Sequence, residues 1–238
     1  MITAREAARL IDISAVQTHN TLKDIRSLVE IAKQYRFINV HTLPCWTSAL
    51  SEMLKDEPDI FVGAPVGFPS GGHTAKVKML EAEQLLLDGV QEMDIVMNVG
   101  KFKNHEYAYV LDELKSIIRL ADKKALTKVI IEINCLEDGE LEDACSLVMD
   151  SGAAFLKTGT GWVKGNANVE RIANITAFVR DRIKVKAAGG IRTPQEFDAL
   201  LALGVSRFGI NAQSAADIVR HYEETGAYSI PSFPSHWC

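Results

Sequence analysis

The strongest constraint on the fold is an alternation of short β-rich runs with longer amphipathic stretches. Val, Ile and Phe dominate the short runs, as expected of strands that are buried on both faces. Eight runs are candidate strands, over residues 10–16, 37–43, 59–66, 92–98, 127–133, 153–158, 183–188 and 207–211. Eight strands that alternate with helices in 238 residues predict an α/β protein with a (β/α)₈ barrel, or TIM barrel. The competing fold is an open doubly wound sheet, in which six strands would be more usual.

The stretches between the runs carry apolar residues three or four positions apart, which is typical of helices with one buried face. They cover residues 21–35, 74–89, 106–125, 141–152 and 193–204. In the last of them, Thr193 is a candidate N-cap, Pro194 fits the first turn and Gly204 is a candidate stop signal. A further helix is expected after the last strand.

No linker rich in Pro, Gly or Ser divides the chain, so we expect one barrel domain over residues 1–225. The segment from His221 to Cys238 has two prolines and no clear period. We expect it to be irregular and assign residues 226–238 as a C-terminal tail.

Bulk charge and hydropathy exclude several classes of function. The formal net charge of −5 gives no basic surface of the kind that nucleic acid requires. No stretch approaches the roughly 18 apolar residues of a membrane span. The N-terminus lacks a basic region followed by an apolar core, so it is not a secretory signal. We therefore expect a cytoplasmic protein that binds neither nucleic acid nor membrane.

The cysteines and histidines do not predict a metal site. The four cysteines form no CxxC pair, and we expect at least three of them to be reduced, buried thiols. His19, His41 and His73 do not have the spacing of a ligand cluster. His41 and His73 are instead candidates for a pocket wall, because both lie near strand ends.

In a barrel, the carboxyl ends of the strands build the active site. Polar residues at or just after those ends are Asp94, Asn98, Lys128, Glu132, Lys157, Thr158, Thr160, Lys186 and Arg192. Lys184 and Lys186 share one side of their strand. Lys186 is favoured because it lies deeper in the strand and closer to a glycine pair.

Two of the lysines predict a chemistry. Lys157 lies within an apolar strand, where lost hydration and a second ammonium both lower an amine's pKa. A neutral amine can attack a carbonyl and form a Schiff base, and Asp94 is placed to move the protons. Taken singly, each lysine also fits a solvated rim position, and Asp94 fits a structural carboxylate paired with a lysine.

Glycines near the last two strands carry a second signal. Gly189 and Gly190 precede a helix start at Thr193, and Gly209 precedes the next helix. Backbone N–H groups at helix starts bind anions, and barrels often hold phosphate after strands seven and eight. The alternative is that these glycines only make tight turns.

Together these segments resemble the 2-deoxyribose-5-phosphate aldolase family, class I aldolases with a barrel fold. The resemblance runs from about Asp12 to about Ala215, through PVGFPSGGHTAKVKMLEAE, GVQEMDIVMNVG, KVIIEI, GAAFLKTGTG and VKAAGGIRTPQEFDALLALGVSRFG. It implies that Lys157 is the Schiff-base lysine, Lys186 the second lysine that perturbs it, and Asp94 the proton relay.

The resemblance also implies residues that hold the substrate. Asp12 matches a contact to substrate hydroxyls. Thr160 and Gly161 match the loop after the nucleophile, and Gly189, Gly190 and Gly209 match the phosphate cradle. We add Asn211 as a donor to phosphate, and Arg192, which with Lys157 and Lys186 would form a basic pocket suited to an anionic sugar.

This chain departs from the family at several positions. Gly159 replaces a serine, His41 stands where a cysteine is common, and the segment DISAVQ lacks a usual threonine. Ile210, Asn211 and Ala212 follow the last glycine, where the family has serines. For the family's terminal tyrosine, the candidate here is Tyr228.

The implied activity is reversible cleavage of 2-deoxy-D-ribose 5-phosphate to acetaldehyde and glyceraldehyde 3-phosphate, with no metal or organic cofactor. The partner would be this small sugar phosphate or aldehyde, and because barrels commonly pair, we expect a homodimer. One alternative is a Schiff-base aldolase for another short sugar phosphate or an unphosphorylated aldehyde. The other is a non-catalytic barrel that binds a sugar phosphate.

Overall fold

The computed structural model describes residues 2–165 and 168–225. Eight parallel strands form a closed barrel in sequence order, and β1 pairs with β8 to close it. The strands are Ile11–Ala15 (β1), Asn39–Thr42 (β2), Phe61–Val66 (β3), Glu92–Val96 (β4), Leu126–Ile130 (β5), Phe155–Lys157 (β6), Lys184–Ala188 (β7) and Arg207–Asn211 (β8). The predicted TIM barrel is confirmed, and the open sheet is excluded.

Helices connect the strands on the outside of the barrel. In the described part of the chain they are Ala4–Ala8 (α1), Leu22–Tyr35 (α2), Thr47–Leu54 (α3), Ala75–Leu87 (α4), Val99–Lys103 (α5), Tyr107–Ala121 (α6), Leu141–Ser151 (α7), Val169–Val179 (α8), Pro194–Ala202 (α9) and Ala212–Thr225 (α10). Among these residues, no helix is both long and apolar enough to cross a membrane.

The local signals at α9 act as predicted. The Thr193 side chain accepts a hydrogen bond from the Glu196 N–H, and the Glu196 carboxylate accepts one from the Thr193 N–H in return. Pro194 occupies the first turn, and Gly204 follows the helix with a φ of +88°, a conformation that favours glycine. The capping hydrogen bonds and Pro194 therefore fix the first residue of α9, six positions after the end of β7.

Alternation along the strands separates an apolar outer layer from a polar interior. On β1, Ile11 and Ile13 are fully buried beneath the helices, whereas Asp12 makes ion pairs inside the barrel. On β4, Met93 and Ile95 are fully buried outside, and Asp94 lies inside. The outer layer supplies the hydrophobic core, so the interior is left for polar chemistry.

A buried ion pair ties α4 and α6 to the end of β4. The Lys78 ammonium lies 2.6 Å from Glu113 Oε1 and donates a hydrogen bond to the Val96 carbonyl at 2.9 Å. Burial lowers the pKa of Lys78 and raises that of Glu113. The pair fixes the carboxyl end of the strand that carries Asp94.

The predicted irregular segment is wrong where it begins. Residues 221–225 continue α10, because Tyr222 is buried and packs edge-on against Phe197, with ring centroids 6.1 Å apart. The predicted tail over residues 226–238, with Tyr228, lies outside the described residues.

The prediction of buried cysteines is also wrong. Cys145 is buried on α7, whereas Cys45 and Cys135 are exposed, and all three are free thiols.

Candidate active site

A cavity of about 260 Å³ opens at the carboxyl ends of the strands. It is lined by eleven of the predicted site residues: Asp12, Asp94, Lys157, Thr160, Gly161, Lys186, Gly189, Gly190, Arg192, Gly209 and Asn211. The barrel thus brings together residues that lie up to two hundred positions apart in the sequence.

Strand register sets the height of the two central lysines. Lys157 on β6 is paired with Lys186 on β7, so both side chains project from the same level of the barrel. Lys186 is buried at 1% exposure, whereas Lys184 is exposed and lies 5.7 Å over the Phe155 ring. Lys186, and not Lys184, therefore lies at the cavity, as expected from its place deeper in the strand.

Asp94 is the centre of the polar cluster. Lys157 Nζ and Lys186 Nζ each donate to Asp94 Oδ2 at 2.7 Å. Lys128 Nζ and His41 Nε2 each lie 3.2 Å from Asp94 Oδ1. Burial alone would raise the pKa of this carboxyl, but His41 and the surrounding lysines hold it well below its usual value. Asp94 is therefore ionised and shared between both lysines, rather than paired with one.

A second layer of charges supports this cluster from below. Asp12 lies 2.5 Å from Lys186 Nζ and accepts a hydrogen bond from Arg207 Nη1 at 2.7 Å. Glu92 lies 2.5 Å from Lys128 Nζ and 3.2 Å from Arg207 Nη2. The oxygens of Asp12, predicted to contact substrate hydroxyls, are thus engaged by Lys186 and Arg207, and Lys128 Nζ lies 3.8 Å from Oδ2.

Half of this second layer is identified from the sequence. Asp12 and Lys128 are candidates there, whereas Glu92 and Arg207 are not. A signal existed, because each lies on the inward side of its strand: Glu92 two positions before Asp94, and Arg207 two before Gly209.

The charge balance of the cluster acts on Lys157. Across residues 2–165 and 168–225, the cluster holds the carboxylates Asp12, Glu92 and Asp94 and the cations Lys128, Lys157, Lys186 and Arg207. Loss of one proton would therefore balance it. Burial lowers the pKa of Lys157, Asp94 opposes this, and Lys186 lowers it further, which leaves a pKa of about 8. Lys157 thus loses its proton at a lower pH than an ordinary lysine does.

The predicted basic pocket needs correction. Lys157 and Lys186 share the Asp94 carboxylate, and Lys186 also contacts Asp12, so much of their charge is compensated. Arg192, by contrast, is exposed and lines the cavity.

Several donors of the candidate anion site already make hydrogen bonds within the protein. The Glu196 carboxylate accepts hydrogen bonds from the N–H groups of Arg192 and Thr193, so these two donors at the start of α9 are taken. The Asn211 amide donates to Ser214 Oγ and accepts from the Ser214 N–H, both at 3.0 Å, which caps α10. These hydrogen bonds do not use the Gly189–Gly190 backbone or the Arg192 side chain, which also line the cavity.

Two different constraints explain the glycines near the last two strands. Gly189 and Gly190 have φ values of +103° and +85°, which favour glycine. Gly209 is required for space instead, since an added Cβ would lie 2.9 Å from Ala188 Cβ and 3.4 Å from Lys186 Cε. A side chain at residue 209 would therefore crowd Ala188 on the neighbouring strand and contact the Lys186 side chain.

Of the two candidate wall histidines, the structure places one in the cavity. His41 is buried in the wall, opposite Gly63 on β3, and a Cβ on that glycine would overlap the imidazole. His73 is exposed and does not line the cavity, so its prediction is wrong. Within the described residues, no group of three or more His, Cys, Asp or Glu side chains is arranged to hold a metal ion.

The chain is similar in sequence to curated proteins over most of its length. A deoxyribose-phosphate aldolase of Sinorhizobium medicae is 44% identical over 219 residues, which cover 92% of this chain and 88% of that protein. The chain belongs to the deoxyribose-phosphate aldolase family. A family member from Klebsiella pneumoniae is 38% identical over 93% of this chain and 90% of its own.

Solved structures agree with this family assignment. The deoxyribose phosphate aldolase of Aeropyrum pernix, described as having a unique tetrameric structure, superposes with a TM-score of 0.84 at 25% identity, covering 94% of this chain and 93% of that one. No protein-family model matches the chain. The resemblance inferred from the sequence motifs is therefore confirmed.

Proposed function

We propose that this protein is a class I aldolase that reversibly cleaves 2-deoxy-D-ribose 5-phosphate through a Schiff base on Lys157. The observation that carries the proposal is a buried lysine in the cavity of a family barrel, with its pKa lowered to about 8 and its amine 2.7 Å from a carboxylate. Relatives that cover most of the chain are named deoxyribose-phosphate aldolase, which supports the same substrate.

The reaction starts with the neutral Lys157 amine, which attacks the aldehyde carbon of the open-chain sugar. Loss of water from the carbinolamine gives an iminium ion, which acts as the electron sink. A base takes the proton of the C3 hydroxyl, the C2–C3 bond breaks, and its electron pair forms an enamine on C1 and C2. Glyceraldehyde 3-phosphate leaves, C2 takes up a proton, and hydrolysis releases acetaldehyde and restores Lys157.

Asp94 and Lys186 supply a proton path for these steps. Both ammonium groups donate to the same Asp94 oxygen, so a proton that leaves Lys157 has an acceptor 2.7 Å away. Lys186 places a donor on the other side of that oxygen. Asp12 holds Lys186 in place, with its oxygen 2.5 Å from Nζ.

The phosphate would lie at the glycine end of the cavity, against the Gly189–Gly190 backbone and the Arg192 side chain. A family aldolase for an unphosphorylated aldehyde is the second candidate. It is favoured by Asn211, whose amide is directed to Ser214, and by Ala212, which carries no hydroxyl.

Substrate preference separates the two candidates. We expect kcat/KM for 2-deoxyribose 5-phosphate to exceed that for free 2-deoxyribose by at least about tenfold, since one charge-assisted hydrogen bond contributes about 1.5–3 kcal/mol. Arg192→Gln should reduce the preference, and Arg220→Gln, on the exposed face of α10, should leave it unchanged. Equal kcat/KM values for the two sugars would favour the second candidate, and binding without turnover would favour a non-catalytic barrel.

Lys186 should control the pH dependence. Lys186→Met removes a cation that lowers the pKa of Lys157, so that pKa should rise. Because the nucleophile must be neutral, the acidic limb of kcat/KM should move to higher pH, by about one unit. Lys184→Met is the matched control, since Lys184 is exposed on the same strand. A limb that stays in place or moves to lower pH would refute this role.

The expected homodimer and cytoplasmic location stay predictions. The Aeropyrum pernix relative is described as tetrameric, so the molar mass in solution distinguishes a dimer from that assembly.

A further inference from the structure

A buried carboxylate just beyond β5 takes no part in the steps above. Glu132 is 4% exposed, and its φ of +53° places it in the left-handed region. A non-glycine residue rarely adopts this conformation, and surrounding contacts must hold it there. The Glu132 side chain contacts Thr160, in the loop after β6.

Glu132 holds the loop that follows the nucleophile. Its Oε2 accepts a hydrogen bond from the Thr160 N–H at 3.1 Å and a short one from the Thr160 hydroxyl. The Thr160 Oγ in turn accepts from the Trp162 N–H at 3.0 Å. Both protons of Thr160 are thus directed to Glu132, and neither points to a substrate in the cavity.

Trp162 extends this chain of contacts across the cavity mouth. Its Nε1 donates to the Val16 carbonyl at 3.2 Å, just after β1. Its ring packs edge-on against Phe68, after β3, with centroids 5.6 Å apart. Val16 and Phe68 both line the cavity. Residues Thr160–Trp162, here called the β6 strap, therefore bridge three loops at the rim.

The strap borders the glycine end of the cavity. Gly161 is its central residue, and a Cβ built on Gly189 would lie 4.0 Å from the Gly161 Cα. The strap thus lies beside the candidate phosphate site, whereas the Lys157 amine lies below, on Asp94. Displacement of the strap would alter the sugar-phosphate end of the cavity without removing a contact of the nucleophile.

We propose that Glu132 is a positioning residue that fixes the β6 strap and thereby shapes the sugar-phosphate end of the cavity. The inference rests on the proposed aldolase function. Glu132 acts through Thr160 and Trp162 and makes no contact with the reacting amine.

A carboxylate suits this position better than an amide. One oxygen accepts two hydrogen bonds, and such bonds to an ionised acceptor are shorter and stronger than neutral ones. The other oxygen, Oε1, faces Gly159, where a Cβ would lie 2.9 Å away. In Glu132→Gln, an amide that keeps its oxygen toward Thr160 turns its NH₂ group toward Gly159. The two hydrogen bonds from Thr160 then go to a neutral acceptor and are weaker.

The test combines steady-state kinetics with covalent trapping. For Glu132→Gln, we expect KM for 2-deoxyribose 5-phosphate to rise about tenfold, with kcat within about twofold of the parent, as loss of substrate positioning predicts. The rate at which acetaldehyde and borohydride modify Lys157 should also stay within about twofold. Glu170→Gln makes the same chemical change at an exposed site on α8 and should change none of these.

A double-mutant cycle tests whether Glu132 acts through Thr160. Thr160→Val removes the hydroxyl while keeping the shape, and its effect on KM should not add to that of Glu132→Gln, because both break one chain of bonds. Should Glu132→Gln fail to fold by circular dichroism, Thr160→Val is judged alone by the same KM and trapping criteria.

An unchanged KM in Glu132→Gln would overturn the inference. So would additive effects of Glu132→Gln and Thr160→Val on KM, or a fall in kcat and in the trapping rate as large as the rise in KM. Failure of the parent enzyme to form a trapped adduct at Lys157 would instead refute the proposed function.

Discussion

Lys157→Ala is expected to lower the rate of 2-deoxyribose 5-phosphate cleavage by at least about ten-thousand-fold, as removal of a covalent nucleophile does in other enzymes. The variant removes the amine that becomes the electron sink, and no neighbour replaces it. Lys186 and Lys128 are held by Asp12 and Glu92 as well as by Asp94. The barrel should stay folded, because Asp94 keeps Lys128, Lys186 and His41 around it.

Lys184→Ala is the matched control for this loss. Lys184 carries the same functional group on the adjacent strand, but it is exposed and packs over Phe155. Its variant should keep activity within about twofold, the small effect expected of an exposed side chain. Cleavage by Lys157→Ala above a thousandth of the parent rate would exclude a Schiff base at this residue as the main route.

Asp94→Asn should lower both kcat and stability. Loss of a proton-transfer group costs about 10²–10⁴ in rate. Because the Asp94 carboxylate raises the pKa of Lys157, its removal should lower that pKa below about 8 and move the acidic limb of the pH profile to lower pH. This direction is opposite to that expected for Lys186→Met. The cations left in the interior should reduce the free energy of unfolding by about 3–5 kcal/mol.

Urea denaturation and the pH dependence of kcat/KM measure these two effects separately. Asp150→Asn, at an exposed residue of α7, is the control and should change neither. An unaltered unfolding midpoint would show that Asp94 does not hold the buried cations together. A pH limb that moves upward would contradict the stated sign of its effect on Lys157.

The strands could be predicted because they are buried on both faces. The run over residues 127–133 shows the limit of this signal: its β-rich pattern continues to Ile133, yet β5 ends at Ile130. Beyond it, Glu132 adopts its left-handed conformation to reach Thr160, a contact that no local pattern shows.

Helices α1, α3, α5 and α8 were not singled out by the sequence pattern. Three of them span eight residues or fewer, so a 3.6-residue period repeats too few times to stand out. Helix α8 has 11 residues, and its buried Ile172, Ile175 and Val179 have the helical spacing, so its length does not explain why it was not predicted.

The site residues could be predicted individually, but their charge balance could not. Lys157, Lys186 and Asp94 stand at strand ends, where a barrel collects its polar residues. Arg207 reaches Asp12 across 195 residues of sequence, and that pairing depends on barrel closure. A basic pocket was expected because the partners of the lysines were not visible in the sequence.

Borohydride reduction of the protein with acetaldehyde, followed by peptide mass mapping, tests most directly whether Lys157 forms the Schiff base. We expect one N-ethyl group on Lys157, with Lys128 and Lys186 unmodified, and a rate of modification that rises with pH through about 8. An adduct on Lys186 in place of Lys157, or the absence of any adduct from active protein, would contradict this expectation.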